Sequence, residues 1–125
     1  MTKKPSILLV EDDSFLIDIY QKKLESSGFK LKIAEKGDIA LEMLAKEKPD
    51  LVLLDIVLPN IGGWEILRKL KKDKQFANLK IIILSNLGQK EEVEKGLGLG
   101  VEKYLIKAQF TPAQVVEQVK ETLGV

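Results

Sequence analysis

An α/β fold built on a parallel sheet is the architecture this sequence predicts, and three observations predict it. Apolar runs such as Leu51–Leu54 and Ile81–Leu84 carry no polar residue on either face, as strands covered on both sides by helices require. These runs alternate along the chain with amphipathic segments, the pattern of parallel strands joined by crossover helices. Each run also ends in a polar residue, Asp55 after the first and Ser85 after the second. Polar groups are thereby delivered to the carboxyl edge of the sheet, where ligands collect in open α/β folds.

Taken in order, Ser6–Val10 is the first strand, and the acidic cluster Glu11-Asp12-Asp13 follows it. Leu16, Ile19, Tyr20 and Leu24 then recur at helical spacing until Gly28 stops the helix. Phe29–Ala34 alternates apolar and polar residues and is expected at an edge. The next helix, Lys36–Glu47, places Ala40, Leu41 and Leu44 on one face and ends at Lys48-Pro49. The run from Leu51 leads to Asp55, and Pro59-Asn60 closes it. Gly62-Gly63 permits a tight loop before a third helix whose core face is Trp64, Leu67 and Leu70. Its far end, Arg68–Lys74, is mostly charged. After the strand that ends in Ser85, Lys90–Leu97 is a weaker helix. Its last turn runs into Gly96, Gly98 and Gly100, each worth up to about 1 kcal/mol less than alanine if helical. Tyr104–Ile106 is the fifth strand and ends in Lys107. Thr111-Pro112 reads as an N-cap followed by proline at the first helical position, opening a last helix that carries Val115, Val116 and Val119.

At 125 residues and 45% hydrophobic content, one domain spanning residues 1–125 around a single core is expected. Twenty Lys and Arg balance nineteen Asp and Glu. The net charge of +1 therefore gives no general electrostatic reason to bind nucleic acid or an anionic membrane. The absence of cysteine removes disulfides and thiolate chemistry, and the absence of histidine removes the commonest general base and zinc ligand. No apolar run approaches the roughly 18 residues of a membrane span. Met1–Pro5 leads straight into a strand rather than a signal sequence, so the cytoplasm is the expected location.

Four strands deliver polar groups to the same edge: Glu11 and Asp12, Asp55, Ser85 and Lys107. Three carboxylates brought together repel one another unless a hard cation joins them, and oxygen-only ligands suit Mg²⁺. Three negative charges, two positive from the metal and one from Lys107 make a neutral pocket ready for a phosphoryl group. A carboxylate oxygen of Asp55 aligned on an electrophilic phosphorus gives an acyl phosphate.

The motifs are Leu8-Leu9-Val10-Glu11-Asp12, Pro49-Asp50-Leu51-Val52-Leu53-Leu54-Asp55 with Leu58-Pro59 and Gly62-Gly63, Ile83-Leu84-Ser85, and Tyr104-Leu105-Ile106-Lys107. Along its whole length the sequence resembles a response-regulator receiver domain, the CheY-like phosphoacceptor of two-component signalling. The resemblance implies a flavodoxin-like (βα)5 doubly wound sheet of order 2-1-3-4-5, with Asp55 as phosphoacceptor and Glu11 and Asp12 as the acid pair. The backbone carbonyl of Val57 becomes a further metal ligand, Ser85 the switch hydroxyl, Lys107 the phosphate-binding lysine and Tyr104 the switch aromatic. It further implies a sensor histidine kinase or phosphotransfer protein as donor and readout through the face made by the fourth helix, fifth strand and fifth helix. With no effector or DNA-binding segment after the fifth helix, output is expected through a downstream protein effector rather than direct contact with nucleic acid, unless the chain is a receiver excised from a longer protein. A homodimer formed on phosphorylation is compatible with this. Two positions depart from the family. Ala108 stands where a proline in a cis peptide is usual, and Asn86 stands where a small residue is usual and is expected to narrow access to the site.

Singly, each residue has a plainer reading. Asp55 could form a turn, Asp13 could be a helix N-terminal acid, Lys107 a surface lysine, Ser85 a loop or cap residue, and Tyr104 a core residue. Their convergence favours a phosphorylation switch over its rival, a phosphorylation-independent interaction module on the same fold. A metal-dependent phosphatase of the haloacid-dehalogenase type is a third reading, disfavoured because Val57 occupies the place of the second acid in Asp-x-Asp.

Overall fold

The computed structural model describes residues 4–125, so the reading of Met1–Pro5 lies in part outside the described residues. Five parallel strands, β1 (Ser6–Val10), β2 (Lys30–Ala34), β3 (Leu51–Leu54), β4 (Lys80–Ser85) and β5 (Lys103–Ile106), form one sheet in the order β2-β1-β3-β4-β5. The helices are α1 (Ser14–Ser26), α2 (Gly37–Lys46), α3 (Gly63–Lys72), α4 (Lys90–Gly98) and α5 (Pro112–Leu123). This is the flavodoxin-like arrangement expected from the sequence.

Alternate residues of each strand feed two cores, which is why the central runs are apolar throughout. Leu8, Val10, Val52, Leu54, Ile81 and Ile83 pack with Ala40 and Leu44 of α2 and with Ile66, Leu67 and Leu70 of α3. Ile7, Leu9, Leu51, Leu53, Ile82 and Leu84 pack on the other face with Tyr20 and Leu24 of α1 and with Val115, Val116 and Val119 of α5. β2 lies at an edge with its outer positions exposed, as its alternation predicts. The core face of α3 is shifted from the expected one: Ile66 is fully buried and Trp64 only half so. The Trp64 ring instead lies under the Lys95 ammonium of α4, 4.3 Å from its centroid, a cation–π contact that joins the two helices.

Helix starts follow local chemistry. The Asp13 carboxylate accepts from the Phe15 and Leu16 N–H groups and caps α1. Thr111 and Gln114 form a reciprocal capping box on α5 with Pro112 at its first position. Two short 3₁₀ turns, Lys74–Phe76 and Lys107–Gln109, are additions to the expected elements. The peptide between Lys107 and Ala108 is trans.

Parallel register fixes the site. Val10 is level with Leu54, and the Asp55 N–H donates to the Val10 carbonyl at 3.0 Å, so Glu11 and Asp55 leave the sheet side by side. Because β1 lies between β2 and β3, these two exits straddle the point where strand order reverses, the place where ligands bind in open α/β sheets. Ser85 is level with Ile106, which sets Lys107 at the same edge.

Candidate functional site

One carboxylate oxygen from each of Glu11, Asp12 and Asp55 lies within 4.8 Å of the others. Glu11 is 1% exposed and Asp55 is buried, whereas Asp12 reaches solvent. The Lys107 ammonium bridges the two buried acids, 2.5 Å from Glu11 Oε1 and 2.7 Å from Asp55 Oδ2. Glu11 Oε2 accepts the N–H groups of Asp12 and Asp13 at 3.1 and 3.2 Å. Asp55 Oδ1 accepts the Val57 N–H at 3.2 Å. Thus the backbone just beyond each strand turns back onto that strand's own carboxylate and fixes its rotamer.

Three carboxylates against one ammonium leave a surplus of two negative charges. The protonation tendencies follow from this. Burial pushes the Glu11 carboxyl up and the Asp55 charge adds to it, against the pull of Lys107. Burial alone would lower the Lys107 ammonium, but its hydrogen bonds to Asp55 and Glu11 outweigh that and hold it above its ordinary value. Glu11 holds its proton more tightly chiefly because it is buried, and Lys107 because two carboxylates flank it. An all-oxygen donor set at this spacing and charge fits a hard divalent cation.

The loop that presents Asp55 is tightly seated. A Cβ on Gly63 would lie 2.5 Å from the Asp55 carbonyl oxygen and 2.6 Å from Ile56 Cα, and the Gly63 N–H donates to the Ile56 carbonyl. At Gly37, the first residue of α2, the Ile61 carbonyl comes within 2.2 Å of where a Cβ would stand. Only glycine admits these approaches.

Ser85 and Tyr104 do not meet Asp55 directly; among the described residues no hydrogen bond joins either to it. They meet each other at the peptide groups of Leu87. The buried Ser85 hydroxyl accepts the Leu87 N–H at 3.3 Å, and the Tyr104 hydroxyl donates to the Leu87 carbonyl. The Tyr104 ring lies against α4 at Gly96, where a Cβ would be 2.8 Å from both Tyr104 Cδ2 and Ile83 Cδ1. Gly96 therefore does more than weaken the helix, as the sequence alone suggested: it makes the seat for the ring. Burial raises the Tyr104 phenol, and the neighbouring Glu92 carboxylate raises it further. Leu87 and Gly96 carry no chemical signature in the sequence, and only the fold brings them together.

Asn86 does not reach into the acidic pocket by a hydrogen bond; its Oδ1 accepts the Ala108 N–H at 3.2 Å.

Comparison with known proteins agrees with this geometry. Residues 7–120 match the family described as the response regulator receiver domain. The chain belongs to that family. The receiver is 38% identical over 98% of its length to the alkaline phosphatase synthesis transcriptional regulatory protein PhoP of Bacillus subtilis, covering 49% of that protein. It is 33% identical over 94% of its length to the phosphate regulon transcriptional regulatory protein PhoB of Pseudomonas aeruginosa, covering 51% of it. The chain thus spans about half the length of these curated relatives, whose names mark them as transcriptional regulatory proteins. Among solved structures, a CheY-like response regulator receiver domain protein from Methanospirillum hungatei superposes with a TM-score of 0.89 at 30% identity, covering 98% of this chain and 95% of that one. The BeF3-activated N-terminal receiver domain of RstA from Klebsiella pneumoniae gives 0.85 at 31% identity, covering 94% and 97%. No helix among the described residues is long and apolar enough to cross a membrane.

Proposed function

We propose that the receiver is a phosphorylation switch in which Asp55 accepts a phosphoryl group from a phosphohistidine of a sensor kinase or phosphotransfer protein. The observation that carries this reading is the crowding of Glu11, Asp12 and Asp55 within 4.8 Å around a single ammonium at the strand-order switch point. An Asp55 oxygen attacks phosphorus in line as the bond from phosphorus to the donor nitrogen breaks, and that nitrogen leaves with the electron pair. Lys107, already 2.7 Å from Asp55 Oδ2, exchanges a carboxylate partner for a phosphoryl oxygen. The Ser85 hydroxyl donates to another phosphoryl oxygen and shifts the Leu87 backbone to which Tyr104 is bonded. Readout then passes through α4, β5 and α5 to a downstream protein. Glu11, Asp12, Asp55 and the Val57 carbonyl would hold Mg²⁺, which when bound would supply the positive charge that makes the phosphoryl oxygens tolerable in this pocket.

Two measurements test parts of this reading. Calorimetry should show weak Mg²⁺ binding to the receiver, because such a site keeps several waters. Asp12→Ala should abolish it, and an unchanged affinity would remove the acid pair from the metal site. Chelation by EDTA should likewise stop phosphoryl uptake.

The second concerns lifetime. The acyl phosphate is lost when water attacks in line; the positions that border that approach in receiver domains, two beyond the aspartate and two beyond the hydroxyl residue, are here Val57 and Leu87, apolar and 60% and 37% exposed. Neither can orient a water, so self-dephosphorylation is slow. Val57→Asn combined with Leu87→Glu should shorten the half-life by about tenfold or more, since a positioned acid or base is worth that much at least. Decay of the purified phosphorylated protein, followed by intact mass, reads this. A double variant that decays no faster than the wild type would show that apolar shielding does not set the lifetime.

A further inference from the structure

Adjacent register brings the exits of β4 and β5 side by side. Ser85 is level with Ile106, and the next residues, Asn86 and Lys107, begin the two loops at the site edge. The β5 exit curls into the 3₁₀ turn Lys107–Gln109, whose N-cap, Ile106, offers no side-chain cap. The first N–H groups of such a turn have no partner within it. One of them, on Ala108, is taken up by Asn86 Oδ1 at 3.2 Å.

We propose that Asn86 is a positioning residue, whose side-chain oxygen latches the turn carrying Lys107 to the loop that follows Ser85 and carries Leu87. This rests on the reading of Asp55 as phosphoacceptor. The latch lies between the two cationic and hydroxyl groups that hold the phosphoryl oxygens in that reading. Lys107 is tied on one side to Glu11 and Asp55, and Ser85 on the other to the Leu87 N–H. With Asn86 joining the two backbones, displacement of either loop is transmitted to the other without passing through the acidic pocket. The residue type fits the task. An amide oxygen accepts the Ala108 N–H without adding charge to a pocket that already has too much negative charge, as a carboxylate would, and an apolar side chain could not accept at all. The two departures from the family also match each other. A proline at position 108 would have no N–H to give, and a small residue at position 86 would have no oxygen to receive it.

The test uses the whole receiver with Mg²⁺ and acetyl phosphate. Asn86→Leu keeps the side chain's bulk and removes the acceptor, Asn86→Asp keeps bulk and acceptor, and Ala108→Pro removes the donor. In Asn86→Leu the Ala108 amide resonance should move and its hydrogen exchange should quicken severalfold, whereas in Asn86→Asp the amide should stay protected. Phosphoryl uptake by Asn86→Leu should slow by about twofold to tenfold, the range one net hydrogen bond allows. Ala108→Pro should slow it similarly, and the double variant should be no slower than the slower single variant, because both remove the same bond. Uptake by Asn86→Leu at the wild-type rate, an Ala108 amide indifferent to residue 86, or additive effects in the double variant would each overturn the latch. A wild type that takes up no phosphoryl group while its Ala108 amide still responds to Asn86→Leu would overturn the phosphoacceptor reading, and the positioning role with it.

Discussion

Replacing Lys107 with methionine is expected to destabilise the receiver by about 3 kcal/mol in metal-free buffer, and to make its stability depend steeply on Mg²⁺. Its side chain is 10% exposed and bridges Glu11 and Asp55, themselves 2% and 8% exposed at the side chain. Methionine preserves most of the stem's packing but leaves two buried carboxylates facing each other with no counter-charge. An exposed ion pair would be worth a few tenths of a kcal/mol and screened by salt. Here the cost is the desolvated charge left unpaired, which is several times larger. A cation binding only to the folded state restores stability in proportion to its concentration over its dissociation constant. Urea denaturation with EDTA and with millimolar Mg²⁺ should therefore show a large gap for Lys107→Met and a smaller one for the wild type. Equal gaps, or a variant as stable as the wild type in EDTA, would mean that the lysine is not the counter-ion of this pocket.

Gly63→Ala should cost about 2 kcal/mol or more, because the atoms a Cβ meets cannot swing away. They are the Asp55 carbonyl oxygen at 2.5 Å and Ile56 Cα at 2.6 Å, both backbone and both part of the loop that presents the acceptor carboxylate. The loop must move off α3, taking Val57 and the orientation of Asp55 with it, so Mg²⁺ affinity should fall along with stability. Gly98→Ala is the control. Nothing lies within 4 Å of a Cβ there, and the residue is helical, so alanine should be neutral or stabilise by up to about 1 kcal/mol. Denaturation midpoints of the two variants separate a steric effect from a general dislike of alanine. If Gly63→Ala were as stable as Gly98→Ala, the loop would be softer than its contacts indicate.

The sheet was legible because its central strands announce themselves locally: short runs apolar on both faces suit strands between two helical layers, and Leu51–Leu54 and Ile81–Leu84 each lead to a polar residue at the edge. The acids were legible for the same reason, since Glu11, Asp12 and Asp55 follow apolar runs directly. What escaped was set by contacts between distant segments. Nothing around Gly37 foretells that the Ile61 carbonyl will rest on it, and nothing around Gly96 that a tyrosine ring from β5 will. Trp64, expected in the core, is drawn half out of it to lie under Lys95 of another helix. Ser85 was placed at the site edge by the strand it ends and Tyr104 by resemblance, but their meeting at Leu87 depends on a loop conformation that no periodicity encodes. Asn86 and Ala108 were visible only as two separate oddities, and their hydrogen bond joins them.

The central claim is that Asp55 accepts a phosphoryl group, and intact-mass spectrometry after incubation with Mg²⁺ and acetyl phosphate tests it most directly. The account predicts one added phosphoryl group on the wild type, none on Asp55→Asn, and none on the wild type in EDTA. A wild type that stays unmodified would favour an interaction module that works without phosphorylation. Sustained turnover of a phosphate ester would favour a phosphatase, and an adduct that persists in Asp55→Asn would contradict the assignment of Asp55 itself.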